Sequence, residues 1–444
     1  MALGVGLTLF MVYFPGLLHQ DSQTRWVWAQ TALKGSGVLN ATDFWPPLMT
    51  GIFYEVLRMG WPVWTVFVVQ LFGFFVGYVL LVHRLMGTLL ARIAAAVALL
   101  IPATWHYAAL QSSDSWLTIG LMWLLWGYCG QLKQGSALSG RVGRAGFWLD
   151  LLAMLFGGVF LFSTRYNAAP LILPLLLLPF LLKLPWRSGV VISLVLICSF
   201  SFSKVYRGPV AMEKAYTVET LMAIEIVGIW KELHLDHPEA APSFVDEIPD
   251  WESCFANYDP FNQDSLVWKH PFFKAARIGP IAGEIRADYW RYAKRFPFTF
   301  AKVKTRTFAS PFLLTDPVGP WYFRPTPDVY LDLLGIPFFS YRPPSLATAV
   351  FTENILWKTF AKWDGLFRPW VWWLIWIALL AWAQAMHRVD DIDKVLFLLA
   401  AGYFLTFFPF SIGFLLRYAI PIWILFMIAV IRLALSSKHT HTHE

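Results

Sequence analysis

Apolar and polar stretches alternate along this chain on a scale of fifteen to twenty residues. Apolar runs fall near 2–18, 62–82, 88–104, 115–130, 147–163, 168–183, 188–203, 369–385, 395–410 and 418–435. Each is long enough to cross a hydrocarbon layer of about 30 Å as a helix. Inside such a layer every backbone N–H and C=O must be bonded within its own segment, so the runs are read as helices. The predicted fold is mainly α: a polytopic membrane protein of about ten transmembrane helices.

The polar intervals divide the chain further. Residues 1–203 form an N-terminal transmembrane module, 204–368 an extracytoplasmic domain, and 369–444 a C-terminal transmembrane module with a cytoplasmic tail. Within the first module the loop 19–60 mixes Trp26, Trp28, Phe44, Trp45 and Tyr54 with polar residues, a pattern expected of short juxtamembrane helices lying on the membrane surface. The 204–368 interval is rich in proline and acidic residues. It is expected to be helical over 206–235 and 281–308, and it carries no nucleotide-binding loop. No internal repeat is visible, which counts against a transporter built from repeats.

Composition agrees with lipid as the solvent. Hydrophobic residues make up 57% of the chain and charged residues 14%, against roughly 25% charged in soluble domains. The net charge of +7 is scattered between apolar spans, which fits loop bias and excludes a nucleic-acid surface. Arg84, Arg92, Lys133, Arg141, Arg144, Lys183, Arg187, Arg388, Lys394, Arg432 and Lys438 occupy one set of short connections. Arg25, Lys34, Arg58, Arg165 and Arg417 occupy the other. The positive-inside rule makes the first set cytoplasmic, so both termini are cytoplasmic and the 19–60 loop faces outward. A bacterial inner membrane, with the site facing the periplasm, fits best. The first apolar run lacks a basic flank and a small-residue cleavage site, so it is read as a retained anchor. Cys129, Cys198 and Cys254 form no metal or disulfide pattern. The aromatic run Trp370, Trp372, Trp373 and Trp376 is read as lipid-facing packing.

The candidate chemistry lies at the outward loop edges. Asp21 follows the first span and Asp114 opens the fourth. A carboxylate in this setting can take the proton of an attacking hydroxyl. It can equally cap a helix or pair with a neighbour: Arg25 lies one helical turn past Asp21, and Ser112 or Ser113 can cap beside Asp114. Asp114 would orient an acceptor or help bind a divalent cation; no cofactor is demanded, and the spacing fits no metal motif. Arg165–Tyr166 and Arg417–Tyr418 each stand at a span edge. Such arginines either snorkel to headgroups or fork onto phosphate oxygens. His106, near Asp114, completes the substrate-binding set with Arg25; His19 and His106 with the two acids match no zinc motif.

These residues resemble a known family. A first span followed by Pro15-Gly16 and then Asp21-Ser22, with Pro46-Pro47-Leu48-Met49-Thr50 downstream, is similar to the polytopic GT-C glycosyltransferases. That superfamily includes protein O-mannosyltransferases, aminoarabinose transferases of lipid A and enzymes that decorate surface polysaccharides. Ser113-Asp114-Ser115 after the third span, Arg417-Tyr418 ahead of Pro421, and the segment Trp268–Phe308 with Pro271 add to the likeness. One departure is Trp45, where related sequences often carry histidine before the proline pair.

The resemblance implies a mechanism. A sugar on polyprenyl phosphate is the donor, and a hydroxyl of a cell-envelope glycan, lipid or protein is the acceptor. Asp21 is the general base, Arg165 and Arg417 hold the leaving lipid phosphate, and direct displacement inverts the anomeric carbon. The competing expectations are a flippase or transporter for a lipid-linked or anionic substrate, and a scaffold of an envelope complex in which both acids are dispensable.

Overall fold

A computed structural model of the protein describes residues 17–18, 20–35, 43, 45–62, 64–99, 101, 104, 108, 110–136, 144–182, 184–208, 212–260, 266, 270–309, 369–407 and 419–435. Within these residues the protein is mainly helical. The helices are α1 (Gln20–Leu33), α2 (Leu48–Arg58), α3 (Trp64–Leu85), α4 (Leu89–Ala98), α5 (Ser113–Ser136), α6 (Arg144–Thr164), α7 (Ile172–Leu181), α8 (Trp186–Val205), α9 (Thr217–Leu233), α10 (Trp251–Asn257), α11 (Ala275–Arg295), α12 (Pro297–Ala309), α13 (Pro369–Ala385), α14 (Asp391–Leu405) and α15 (Ile420–Leu435). A 3-10 turn, Tyr166–Leu171, leads into α7. Two short extended pieces, β1 (Leu17–Leu18) and β2 (Leu110–Gln111), pair in parallel.

Among the described residues three helices are long and apolar enough to cross a membrane: Trp64–Leu85, Ala145–Thr164 and Trp186–Val205. Shorter apolar helices lie at Leu89–Ala98, Tyr166–Leu181, Pro369–Ala385 and Pro421–Leu435. The expected 88–104 span is helical as α4 for ten residues. Thr88 caps it by accepting a hydrogen bond from the Ala91 N–H.

α5 is the axis of the bundle. Its first turns are wholly buried, and it packs on α3 and α6. Glycine sets the α5–α6 spacing. A Cβ on Gly120 would lie 2.6 Å from the Leu161 nitrogen and 2.8 Å from the Gly157 carbonyl oxygen. Two helix backbones approach this closely only where side chains are absent.

At the far end of α5 the connections are tied by charge. Arg84 donates to the Trp126 carbonyl at 2.6 Å, lies 4.1 Å over the Trp126 ring, and pairs with buried Asp150. Arg432 donates to the Leu85 carbonyl at 2.9 Å and to Asp393 at 2.8 Å, and also bonds Asp390. Asp390 and Asp393 form a reciprocal capping box at the start of α14. Arg84, Asp150, Asp390, Asp393 and Arg432 thus gather at one end of the bundle, and the two acids Asp21 and Asp114 head helices that begin at the other.

Two expectations are corrected. Trp372 and Trp376 are buried, packed on Trp423 and Phe426 and on Phe397; they face the bundle core and not lipid, because an aromatic pair four residues apart on one helix face fills the gap between α13 and α15. α1 does not lie on a surface. Arg25, Trp26 and Ala29 are fully buried, and no residue from 21 to 32 is exposed.

The segment after α8 builds a second apolar core from α9, α10, α11 and α12, with short 3-10 turns between them. The helices fall at 217–233, 275–295 and 297–309, narrower at the start than 206–235 and broken at Phe296–Pro297. Tyr216 enters α9 in the left-handed region at φ 52°, and Gly279 leaves room for its ring. Inside this core Glu225 receives hydrogen bonds from Lys304 at 2.7 Å and Tyr289 at 2.9 Å, all three buried. Phe308, at the end of α12, meets Phe404 of α14 edge-on at 5.5 Å, which joins this unit to the bundle.

Candidate functional site

Two loops far apart in sequence are stitched together at the near end of α5. The β1–β2 pairing aligns Leu17 with Leu110 and Leu18 with Gln111. At the third residue of α1, the Ser22 hydroxyl donates to the Gln111 carbonyl. One turn further, Arg25 donates through Nη1 to the Ser113 hydroxyl at 2.6 Å and lies 5.0 Å over the Trp45 ring. Arg25 is 0% exposed. A buried guanidinium is tolerated only when bonded and covered by polarisable surface. Asp21, partly buried, stands in the first turn of α1, where the helix dipole favours a negative charge. The segments bearing Asp21 and Asp114 therefore form one structural unit.

Asp114 is 1% exposed in the first turn of α5. Ser112 caps that helix, its hydroxyl accepting from the Ser115 N–H at 3.2 Å. Arg165 follows the last residue of α6 in an extended conformation (φ −146°, ψ 133°). Its Nε donates to Asp114 Oδ1 at 2.9 Å and its Nη2 to Oδ2 at 2.7 Å. This is the two-point geometry that guanidinium makes with a planar anion. The edge of Arg165 expected to grip a phosphate is turned onto Asp114 here, so the pair ties the start of α5 to the end of α6.

Tyr166 follows, 45% exposed. Burial of the rest of its ring pushes its hydroxyl up to about 12, with the Asp43 carboxylate adding to the push and the Arg207 and Arg25 guanidiniums opposing it. These three groups come from separate parts of the chain. Asp43 belongs to the first loop; its N–H donates to the Glu213 carbonyl at 2.8 Å and its carboxylate accepts from the Ala215 N–H. Gly208, at φ 72°, sits against Pro47, where an added Cβ would lie 3.2 Å from the proline Cβ. Gly208, Glu213 and Ala215 thus meet Pro47 and Asp43, and Arg207 lies close enough to act on Tyr166.

Of the residues expected from sequence, Asp21, Arg25, Asp114, Arg165 and Tyr166 come together in this one region. His106, Arg417 and Tyr418 lie outside the described residues, as does His19. Among the described residues no group of three His, Cys, Asp or Glu side chains is placed to hold a metal ion. Sequence reasoning passed over Asp43, Arg207, Gln23 and Gln111. The two glutamines had a signal: Asp21-Ser22-Gln23 and Gln111-Ser112-Ser113-Asp114 place glutamine and serine around each acid in near mirror order.

Compared with protein-family models, with curated proteins and with solved structures, the chain shows no significant match.

Proposed function

We propose that this protein is an integral-membrane inverting glycosyltransferase. It moves a sugar from a polyprenyl-phosphate donor to a hydroxyl of an envelope glycan, lipid or protein on the extracytoplasmic side of a bacterial inner membrane. About ten spans with both termini cytoplasmic is the topology that accompanies this reading. The observation that supports it best is the joining of the Asp21 and Asp114 loops into one unit, with Arg25 bonded to Ser113 and Arg165 to Asp114.

The chemistry follows from the groups present. The acceptor hydroxyl attacks the anomeric carbon while Asp21 takes its proton. The new C–O bond forms as the bond to the lipid phosphate breaks, and the phosphate leaves with the electron pair. One displacement inverts the carbon. Arginine near the departing oxygen stabilises its charge. Asp114 holds Arg165 in place, and Arg207 and Arg25 add positive charge around Tyr166. A donor already carried on lipid phosphate needs no nucleotide site.

The test uses purified protein in nanodiscs and a panel of polyprenyl-phosphate sugars, with release of free polyprenyl phosphate as the readout. Release is expected, and Asp21→Asn lowers it by about 10² or more, the usual weight of a general base. Full activity in Asp21→Asn removes that residue from the mechanism. Absence of release with every donor, combined with thermal stabilisation by intact lipid-linked sugar, establishes the flippase reading instead. That reading asks for charge deep within spans. The partly buried pair Arg84–Asp150 sits in the last turn of α3 and the second turn of α6, near helix ends, and does not favour it.

A further inference from the structure

The site end of the bundle holds a concentration of buried polar groups with nothing to bind. Among the described residues both ends of the Gln23 carboxamide and both ends of the Gln111 carboxamide lack hydrogen-bond partners. So do Trp26 Nε1, Trp116 Nε1, Ser163 Oγ and Asn167 Oδ1. Gln23 is 1% exposed and Gln111 0%. A buried amide without a partner is costly, and folded proteins pair nearly all of them. Two other buried glutamines of this bundle have their amide nitrogens bonded: Gln70 donates to the Ala108 carbonyl at 2.8 Å and Gln131 to the Phe147 carbonyl at 3.4 Å.

The six groups share one neighbourhood. Gln23 and Trp26 lie one turn apart on α1, and the neighbouring Ser22 is bonded to Gln111 itself. Trp116 stacks on Phe160 at 5.1 Å, and Ser163 is one turn past Phe160 on α6. Asn167 follows Arg165, the partner of Asp114. Gln23 is two residues past Asp21, and Gln111 three before Asp114. The groups are neutral, mix donors with acceptors, and include indoles. That is the complement of an uncharged ring bearing several hydroxyls; the cations beside them, Arg25 and Arg165, are bonded to Ser113 and Asp114.

We infer that Gln23 and Gln111 are the sugar-reading residues of this site, binding the hydroxyls of a pyranose or furanose ring held beside Asp21. The inference rests on the glycosyltransferase reading only for the source of the ring, which is the lipid-linked donor or the glycan acceptor. A site built to bond hydroxyls discriminates strongly, because a ligand lacking them leaves the buried amides unpaired.

The test is affinity in nanodiscs for a panel of decaprenyl-phosphate monosaccharides and for bare decaprenyl phosphate, alongside thermal stabilisation by methyl glycosides. Wild type is expected to prefer at least one glycosylated lipid over the bare one. The double variant Gln23→Met/Gln111→Met is expected to lose about tenfold or more of that preference, the weight of one or two hydrogen bonds. It should melt no lower than wild type, since two unpaired amides have been removed. Single variants Gln23→Met and Gln111→Leu serve if the double variant does not fold. Unchanged lipid preference with loss of methyl-glycoside stabilisation keeps the sugar subsite and assigns it to the acceptor. Wild-type indifference to every sugar, or variants that bind like wild type, overturns the inference and leaves the amides as hosts for water. A lower melting temperature with unaltered sugar preference overturns it too, in favour of a structural role. Asp21-dependent release of lipid phosphate with unchanged sugar preference sinks the subsite and keeps the transferase. Sugar preference lost in the variant, with no release from any donor, does the reverse.

Discussion

At the residue scale the decisive contact is Asp114 with Arg165. A lone aspartate in the first turn of a helix is worth up to about 1 kcal/mol through the dipole. A buried, two-point ion pair is different, because removing one partner strands the other charge. Asp114→Asn and Arg165→Met are each expected to destabilise the protein by about 3–5 kcal/mol. The double variant should lose far less than the sum. Thermal melting of the four proteins checks this, and additive losses would show that the two side chains act independently. Asp21 differs in kind: it is partly buried in the first turn of α1, and its proposed weight is on turnover rather than stability.

At the scale of elements, the site depends on where α5 and α6 sit. Arg165 reaches Asp114 because α6 runs back along α5, and Gly120 and Gly157 let the two backbones touch. Gly120→Val places carbon where the Gly157 and Leu161 backbones already are. It is expected to cost about 1–3 kcal/mol or more by overpacking, and to weaken the Asp114–Arg165 contact a turn and a half away. Gly87→Ala, facing open space, is the control and should leave the melting temperature unchanged. Equal effects of the two substitutions would mean that the α5–α6 approach is not tight. The short β1–β2 pairing plays the matching part for α1, fixing the register in which Ser22 and Arg25 meet the head of α5.

At the scale of the whole molecule, a bundle and a second helical core meet at Phe308 and Phe404. The second core encloses charge: Lys304 bonds Glu225, and both side chains are buried. Burial pushes the Glu225 carboxyl up from its usual 4.5, and Lys304, then Tyr289, pulls it down. Lys304→Met leaves burial opposed by Tyr289 alone and should cost about 3–5 kcal/mol near pH 8. The sign of the pH effect follows from linkage. A carboxyl whose folded-state pKa is raised stabilises the fold below its unfolded value of 4.5 and loses that contribution as pH rises through the raised value. The deficit of Lys304→Met should therefore shrink toward pH 4.5, read as the difference in melting temperature from wild type. A deficit independent of pH would show that Lys304 acts by packing alone.

The hydropathy pattern by itself determined that the chain is helical and apolar enough for lipid, because backbone bonding in a membrane allows little else. It also singled out Asp21, Arg25, Asp114, Arg165 and Tyr166, since charge beside an apolar run stands out in one dimension. The tertiary structure alone decided which of these meet. Nothing in the spacing says that Arg165 forks onto Asp114, that Arg25 bonds Ser113, or that Gly208 meets Pro47 and Glu213 and Ala215 meet Asp43. Those contacts depend on helix crossing and register, which small residues and side-chain shape set. For the same reason Trp372 and Trp376 of α13 read as lipid-facing and proved to be core, because an indole serves either role and only its neighbours choose. Gln23 and Gln111 were marked in sequence only by their place beside each acid; a glutamine becomes informative when burial removes the water that would have bonded it.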